Sequence, residues 1–412
     1  MKNVSYERWL FKSILNALKV RRVISLEGAR QCGKTTLAKS IDALKIYRTL
    51  DDVTLLQAAK NDPHTFVSHG NELMIIDEIQ RVPELLLAIK KDVDLIQTPG
   101  RFLITGSANI QTLPNVKESL AGRLKKLRLR TLSIGEINGK SPNFIDNLFS
   151  GKFKSYGTST YNKDTYLDLA FKGGYPEAIR LNKYKEVQSW HHDYINAIIE
   201  NDLRDIINIY RKDSLNKLIA ILAAWSSKFM DISKITSHLS IARNTVESYI
   251  NVLESLYLIE RVKPWIKTDY DRVGKQDKIF YSDSGLMASI LNWNFDEVRL
   301  DGEQGGKLLE TFVYTQLAVI IDASDDTYNL SHYRDRDKRE IDFILEDDKG
   351  NILAIEVKAG SAVTKSSFKH IEWFKENMAQ RTCTGIVLYT GEHVVSFAKD
   401  LWAVPISCLF AG

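Results

Sequence analysis

The sequence predicts an α/β protein of several domains, opening with a parallel sheet that carries helices on both faces. Three observations predict it. Residues 1 to about 145 alternate short apolar strands with segments of helical spacing, the pattern of a parallel sheet covered on both sides. Residues 28–36 read GARQCGKTT, a match to G-x-x-x-x-G-K-[ST] between a strand and a helix. Further on, LMIID is an unbroken apolar run that ends in acid, as in strands buried on both faces.

The first element, MKNVSYERWLFKSILNALKV, reads as an amphipathic helix. VISLEG is the strand that delivers the phosphate loop, and TTLAKSIDAL is the helix that follows it. Such a loop binds phosphate because its backbone N–H groups point at one anion site. Gly28, Gly33, Lys34 and Thr35 hold the fixed positions, and Arg30, Gln31, Cys32 and Thr36 complete the cradle. Lys34 is expected on the β- and γ-phosphates of ATP, and Thr35 on Mg²⁺. Asp77 and Glu78 then emerge at the carboxyl end of the next buried strand, where open α/β sheets bind ligands. Asp77 is expected in the Mg²⁺ shell and Glu78 beside the attacking water. RFLITGSAN is another buried strand, ending at Ser107 or Asn109, one of which would sense the γ-phosphate or orient the water. Arg123 follows a short helical segment and is the candidate arginine finger. A finger supplied by a neighbour implies homo-oligomers, hexameric rings among them.

The whole chain has 412 residues, a net charge of +4 and 44% hydrophobic residues. That length suits two to four domains, and so small a net charge confines any nucleic-acid surface to a local patch. Cys32, Cys383 and Cys408 are odd in number and widely spaced, which suits a reducing cytoplasm and neither a disulfide scaffold nor a metal site. Cys32 is either an oxidation-sensitive loop thiol or a filler. No run of 18 apolar residues occurs, so neither a signal peptide nor a membrane span is expected.

The expected domains are residues 1–150, the phosphate-loop sheet; 151–213, a helical linker region; 214–300, a winged helix; and 301–412, a C-terminal α/β domain. SGKFKSYGTSTYNKDT marks the first boundary as a polar loop. In the third region ISKITSHL and the helix beginning IARNTV are separated by a tight turn, the helix-turn-helix signature. Arg243, Asn244 and Thr245 head the second helix, where such helices meet DNA. The wing tip mixes Lys267, Arg272 and Lys275 with Asp269, Asp271 and Asp277, so a protein-binding adapter stays an alternative to a DNA reader.

In the C-terminal region GGKLLETFVYTQLAVII is a helix bearing Glu310. Ile341, Phe343 and Leu345 alternate with Asp342, and ILAIEVKAG puts Glu356 and Lys358 on one strand face. A hairpin would gather Asp342, Glu356 and Lys358, with Glu310 joining from the helix. Asp342 and Glu356 would then hold Mg²⁺, and Lys358 would act on the attacking water.

GARQCGKTTL, IIDEIQRVPELL, FLITGSAN, SLAGR, GGYPEA, IFYSDSGL and the Glu310, Asp342, Glu356-Val357-Lys358 set together resemble a family of bacterial and archaeal AAA-type ATPases. Its members carry a C-terminal domain of the restriction-endonuclease, PD-(D/E)XK, type. The last set is similar to the active site of archaeal Holliday-junction resolvases, with Ile341 where that motif often has proline. The resemblance implies an ATPase that remodels, translocates or cuts branched DNA. The alternatives are a nucleotide-switched DNA-binding regulator or scaffold with an inactive nuclease fold, or an ATPase acting on a protein.

Overall fold

A computed structural model describes residues 6–411, apart from 43, 108–121, 154–155, 203–211, 240, 268–275 and 380. Asn109, Asp269, Asp271, Arg272 and Lys275 lie outside the described residues, as does most of the segment leading to Arg123. The chain divides into two compact units, residues 1–132 with Leu253–Leu258, and residues 133–252 with 259–412.

Unit 1 is built on five parallel strands, β1 (Val23–Glu27), β2 (Lys45–Thr49), β3 (Leu73–Asp77), β4 (Phe102–Gly106) and β5 (Leu124–Arg128). Their order is β2-β3-β4-β1-β5, so β1 lies inside the sheet between β4 and β5. Every residue of β1, β3 and β4 is buried, as expected of strands covered on both faces. One face packs Met74, Ile76, Phe102 and Ile104 against Leu85, Leu86 and Ile89 of helix Leu85–Leu95. The other packs Ile24, Leu26, Ile75 and Leu103 against Leu10 and Ile14 of helix Leu10–Leu18 and Leu37 of helix Lys34–Lys39. The register Glu27↔Gly106 and Ile76↔Ile104 aligns the carboxyl ends of β1, β3 and β4 at one edge. The phosphate loop leaves the sheet at that edge.

Unit 2 joins helices to one nine-stranded sheet of order β13-β14-β12-β11-β10-β9-β7-β8-β6. Here β6 is Lys228–Phe229, β7 Ile259–Pro264, β8 Lys278–Tyr281, β9 Asn329–Arg334, β10 Glu340–Glu346, β11 Ile352–Lys358, β12 Cys383–Tyr389, β13 Val395–Ala398 and β14 Leu401–Pro405. The sheet is mixed, with β9-β10-β11 antiparallel and β11-β12-β14 parallel. Helices Ile232–Leu239 and Arg243–Ser255 precede the antiparallel β7–β8 pair, in the order read from the sequence. The sequence placed a boundary near residue 300. In the structure β7 pairs in parallel with β9, through Lys263↔Ser331 and Pro264↔His332, so the strands on either side of that point share one sheet.

Two motifs from the sequence meet in a structural joint. Asp283 of YSDSGL is buried, and its carboxylate accepts from Leu286 N at 2.9 Å, capping helix Ser284–Ile290. It also accepts from Gly174 N of the GGYP turn at 2.8 Å. A carboxylate taking two buried N–H donors is satisfied without any ligand.

Candidate functional site

The phosphate loop needs two glycines for different reasons. A Cβ at Gly28 would stand 2.1 Å from Leu129 O, because the backbone leaving β1 runs against the chain leaving β5. Gly33 has φ 104°, a conformation glycine alone adopts freely. Lys34 is buried, and its Nζ donates to Gly28 O at 3.0 Å and Ala29 O at 2.9 Å. Those carbonyls hold the ammonium over the loop where phosphate oxygens would compete for it. Arg30, Gln31 and Thr36 are exposed on the loop and the first turn of helix. Cys32 is fully buried, with Sγ directed at Leu129 O, so it packs as a small apolar side chain.

Thr35, Asp77 and Glu78 lie close together at the carboxyl edge of the sheet. Thr35 Oγ1 donates to Asp77 Oδ2 at 2.9 Å. Tyr47 OH donates to the same oxygen at 2.7 Å, and Thr105 Oγ1 donates to Asp77 Oδ1. Burial, with the Asp77 carboxylate adding to it, raises the Tyr47 pKa well above the usual phenol value, so it stays a donor. Glu78 adopts a left-handed conformation (φ 61°) at the end of β3, a strained position for a side chain that has to leave the sheet edge. Its Oε2 accepts from Gln80 Nε2, which also donates to Ser107 Oγ at 2.9 Å. Ser107 therefore reaches the site. Thr35 and Asp77 are oxygen donors of the kind Mg²⁺ takes, and they fit that ion.

Sequence reasoning missed four of these residues. Tyr47, Thr105 and Gln80 orient the two carboxylates. Arg8, from the N-terminal segment, donates to Cys32 O at 2.8 Å and Arg130 O at 2.6 Å, which braces the loop from behind. Gln80 and Thr105 lie within three residues of named positions and carried a local signal; Arg8 and Tyr47 carried none.

Arg123 sits elsewhere. It precedes β5, its carbonyl accepts from Val23 N at the start of β1, and its guanidinium pairs with Asp94. Five strand residues, roughly 16 Å, separate that end of the sheet from the loop. This placement rules out a finger role in its own chain's site.

Unit 2 gathers the second set of residues, with an addition that the sequence did not reveal. Asp342 lies where the β9–β10 register shifts, between Ile341 and Ile344; such a bulge re-aims a side chain. Its Oδ2 accepts from Val357 N at 2.9 Å, and Lys358 Nζ donates to Glu356 Oε1 at 2.7 Å. The cluster also contains Lys278, from β8. Its Nζ is 3.0 Å from Asp342 Oδ1, 3.0 Å from Glu340 Oε1 and 2.5 Å from Glu310 Oε1, and its side chain is 1% exposed. Phe280, two residues on and thus on the same strand face, stacks on Tyr314 at 4.4 Å and lies 5.5 Å from Phe343. Tyr314 is one helical turn beyond Glu310, so packing Phe280 there carries Lys278 to the glutamate.

Burial alone would lower the Lys278 pKa, but Glu310, Asp342 and Glu340 more than reverse this and hold it well above the ordinary value. Burial, followed by the Asp342 charge, raises the carboxyls of both Glu310 and Glu356. Among the described residues no three acidic, histidine or cysteine side chains are arranged to hold a metal. The expectation that Asp342 and Glu356 jointly ligate Mg²⁺ therefore meets a seat already filled by an ammonium, and a metal does not fit while Lys278 is in place.

A family model described as an AAA domain matches residues 20–138. Unit 1 is an AAA-type P-loop ATPase domain. Beyond this AAA domain, residues 163–297 match a domain of unknown function, DUF8612, and residues 305–409 another, DUF4143. Uncharacterised proteins of Mycobacterium bovis and Mycobacterium tuberculosis are each 26% identical over 393 residues, covering 94% of this chain and 81% of theirs. One from Methanocaldococcus jannaschii is 26% identical over 392 residues, covering 86% and 79%. Among solved structures, a STAND signal-transduction ATPase with a tetratricopeptide repeat sensor, from Pyrococcus horikoshii, aligns at 12% identity and TM-score 0.21. That alignment covers 78% of this chain, which spans about half of the other (47%). A RuvB variant from Thermotoga maritima aligns at 16% identity and TM-score 0.28, covering 61% of this chain and 88% of its own. Such loose likenesses carry nothing about assembly or substrate. No helix of the described residues is long and apolar enough to cross a membrane.

Proposed function

We propose that this chain is an ATP-hydrolysing, DNA-processing protein in which the AAA domain turns over ATP and unit 2 holds DNA. Bound ATP with Mg²⁺ supplies the phosphoryl group that water attacks. Gly28 to Thr36 hold the phosphates, with Lys34 as the point charge, and Thr35 and Asp77 hold the ion. Glu78, aimed by Gln80 and Ser107, takes the proton of the water. Arg123 acts on the site of a neighbouring copy, so the working form is a homo-oligomer.

The DNA half is carried by an open cleft of about 730 Å³ in unit 2. Lys228, Lys234, Lys307 and Arg334 line it with Trp225 and Phe229, against the acids Asp231 and Glu340. Cations beside flat aromatic faces suit a phosphate backbone with unstacked bases. The pairs that Lys228 makes with Glu303 and Lys234 with Asp231 are exposed, and pairs of that kind are weak enough for phosphate to displace. Arg243, at the head of the expected recognition helix, makes a pair of the same exposed kind with Glu247 of its own helix at 2.8 Å.

The nuclease-like reading of Glu310, Asp342, Glu356 and Lys358 belongs to the same proposal, with branched DNA such as Holliday junctions as its substrate. The rival is a nucleotide-switched DNA-binding regulator or scaffold, favoured by Lys278 in the carboxylate cluster. Fluorescence anisotropy with linear, forked and four-way DNA tests the shared claim. Reversing Lys228 and Lys234 to glutamate should weaken binding at least about ten-fold and flatten its salt dependence. Unchanged binding would remove the cleft from the proposal. Strand scission in the same samples with Mg²⁺ or Mn²⁺ separates the nuclease from the regulator.

A further inference from the structure

We propose that Lys278 is the resident cation of the Glu310–Glu340–Asp342–Glu356 cluster, and that it keeps divalent metal out of that cluster in this conformation. The inference deepens the nuclease-like reading of unit 2 and rests on it only for the kind of cation the cluster would otherwise take.

The geometry is that of an internal cation with oxygen ligands. Three carboxylates from two elements, Glu310 of the helix Gly302–Ala323 and both Glu340 and Asp342 of β10, converge on one Nζ. The ammonium lies 5.7 Å from the Phe229 ring and 5.9 Å from the Phe280 ring, so its surroundings are carboxylate on one side and aromatic on the other. A lone ammonium there would be prohibitively costly, and so would the carboxylates without a cation. Lys278 and a metal are therefore alternatives for one seat.

Counting formal charge shows why the seat needs filling. Glu310, Glu340, Asp342 and Glu356 bring four carboxylates, and Lys278 and Lys358 bring two ammoniums. Without Lys278 only Lys358 opposes the four. A second observation points the same way: Glu356 Oε2 is buried and accepts no hydrogen bond, although Glu356 Oε1 holds Lys358. A buried carboxylate oxygen without a donor leaves an acceptor for a proton or a further cation to meet.

Lys278 also stands outside the residues read as the nuclease-like set. It belongs to β8, paired with β7 and β6, and lies 64 positions before Asp342 in the chain. Metal entry then depends on the position of β8, and not on the four acids alone.

Calorimetric titration of the full chain with Mn²⁺ tests this, alongside thermal melts in EDTA and in Mn²⁺. Wild type should show no Mn²⁺ binding that depends on Asp342. Lys278→Ala and Lys278→Gln should each gain an Mn²⁺ site, roughly ten-fold or more tighter than any in wild type, with a Tm that rises on adding Mn²⁺. Adding Asp342→Asn to either variant should abolish the gain, which separates it from ions held at the phosphate loop. If a variant is unfolded in EDTA, recovery of its melting transition in Mn²⁺ supports the proposal equally. Asp342-dependent binding in wild type as tight as in the variants overturns it. So does the absence of any Mn²⁺ gain in both variants, folded or not. DNA cutting plays no part in these outcomes, so a protein that never cuts DNA leaves this inference standing while the nuclease reading falls.

Discussion

At the scale of single residues, the nucleotide site is held in shape by hydrogen bonds among its own side chains and from residues outside the phosphate-loop motif. Asp77 takes donors from Thr35, Tyr47 and Thr105, which fixes both of its oxygens. Arg8 bonds one carbonyl inside the loop, Cys32 O, and one just beyond β5, Arg130 O. Hydrogen bonds from a charged donor contribute about 1.5–3 kcal/mol each, and both of these involve an arginine that is 8% exposed. Arg8→Met should therefore lower the Tm and weaken ATP binding while leaving Lys34 and Glu78 in place; calorimetry and nucleotide titration read the two effects. A second residue sets an acid limit. His191 is fully buried, with Nδ1 at 2.8 Å from Ser289 Oγ. Burial first, and the His192 charge second, lower its pKa from 6.5 to about 3. Between those values the unfolded chain binds a proton that the folded chain refuses, so stability falls as pH drops through that window. The slope should be about 1.4 kcal/mol per pH unit. Denaturant melts of wild type and His191→Gln between pH 7 and 4 should diverge on the acid side, and parallel curves would count against it.

At the scale of elements, the phosphate loop is a consequence of packing β1 against β5. Gly28→Ala would drive a Cβ into Leu129 O at 2.1 Å, where backbone must move and not a flexible side chain. Overpacking of this kind costs about 1–3 kcal/mol, and here it also displaces Lys34. The expected result is a lowered Tm and lost ATP binding in the same variant; normal binding would mean that the loop accommodates the methyl. Unit 1 was legible in the sequence because its chemistry is local. A strand, a short loop (residues 28–33) and a helix are contiguous, and Asp77–Glu78 directly end a buried apolar run. Arg8 was not legible, since nothing in YERW points 24 residues ahead to Cys32 O. The C-terminal set was half legible. Alternation placed Glu356 and Lys358 on one face, and they do pair. Lys278, however, sits in KIFYSD, a stretch that reads as an ordinary wing strand. Its role emerges only when Phe280 packs on Tyr314 and the sheet continues from β7 to β9. Long-range pairing of that kind leaves no periodic trace.

At the scale of the whole molecule, the two sites lie in different units, and their chemistries should separate by mutation. Asp342→Asn with Glu356→Gln should leave ATP hydrolysis near the wild-type rate. Assembly is the other whole-molecule expectation. Arg123 stands at the end of the sheet opposite the loop, so Arg123→Ala should slow hydrolysis with little effect on nucleotide affinity. Mixing it with Glu78→Gln subunits should restore part of the rate, because each supplies what the other lacks at a shared interface. Recovery of no activity on mixing would leave Arg123 as a surface arginine paired with Asp94. The most direct measurement is steady-state phosphate release from ATP by the full chain, with Mg²⁺, as linear, forked or four-way DNA is added. The expected result is turnover that Lys34→Ala abolishes, that Glu78→Gln reduces by about 10²–10⁴ despite intact ATP binding, and that rises with DNA. Full turnover in Glu78→Gln, or a wild-type rate indifferent to every DNA form, would contradict an ATPase that works on DNA.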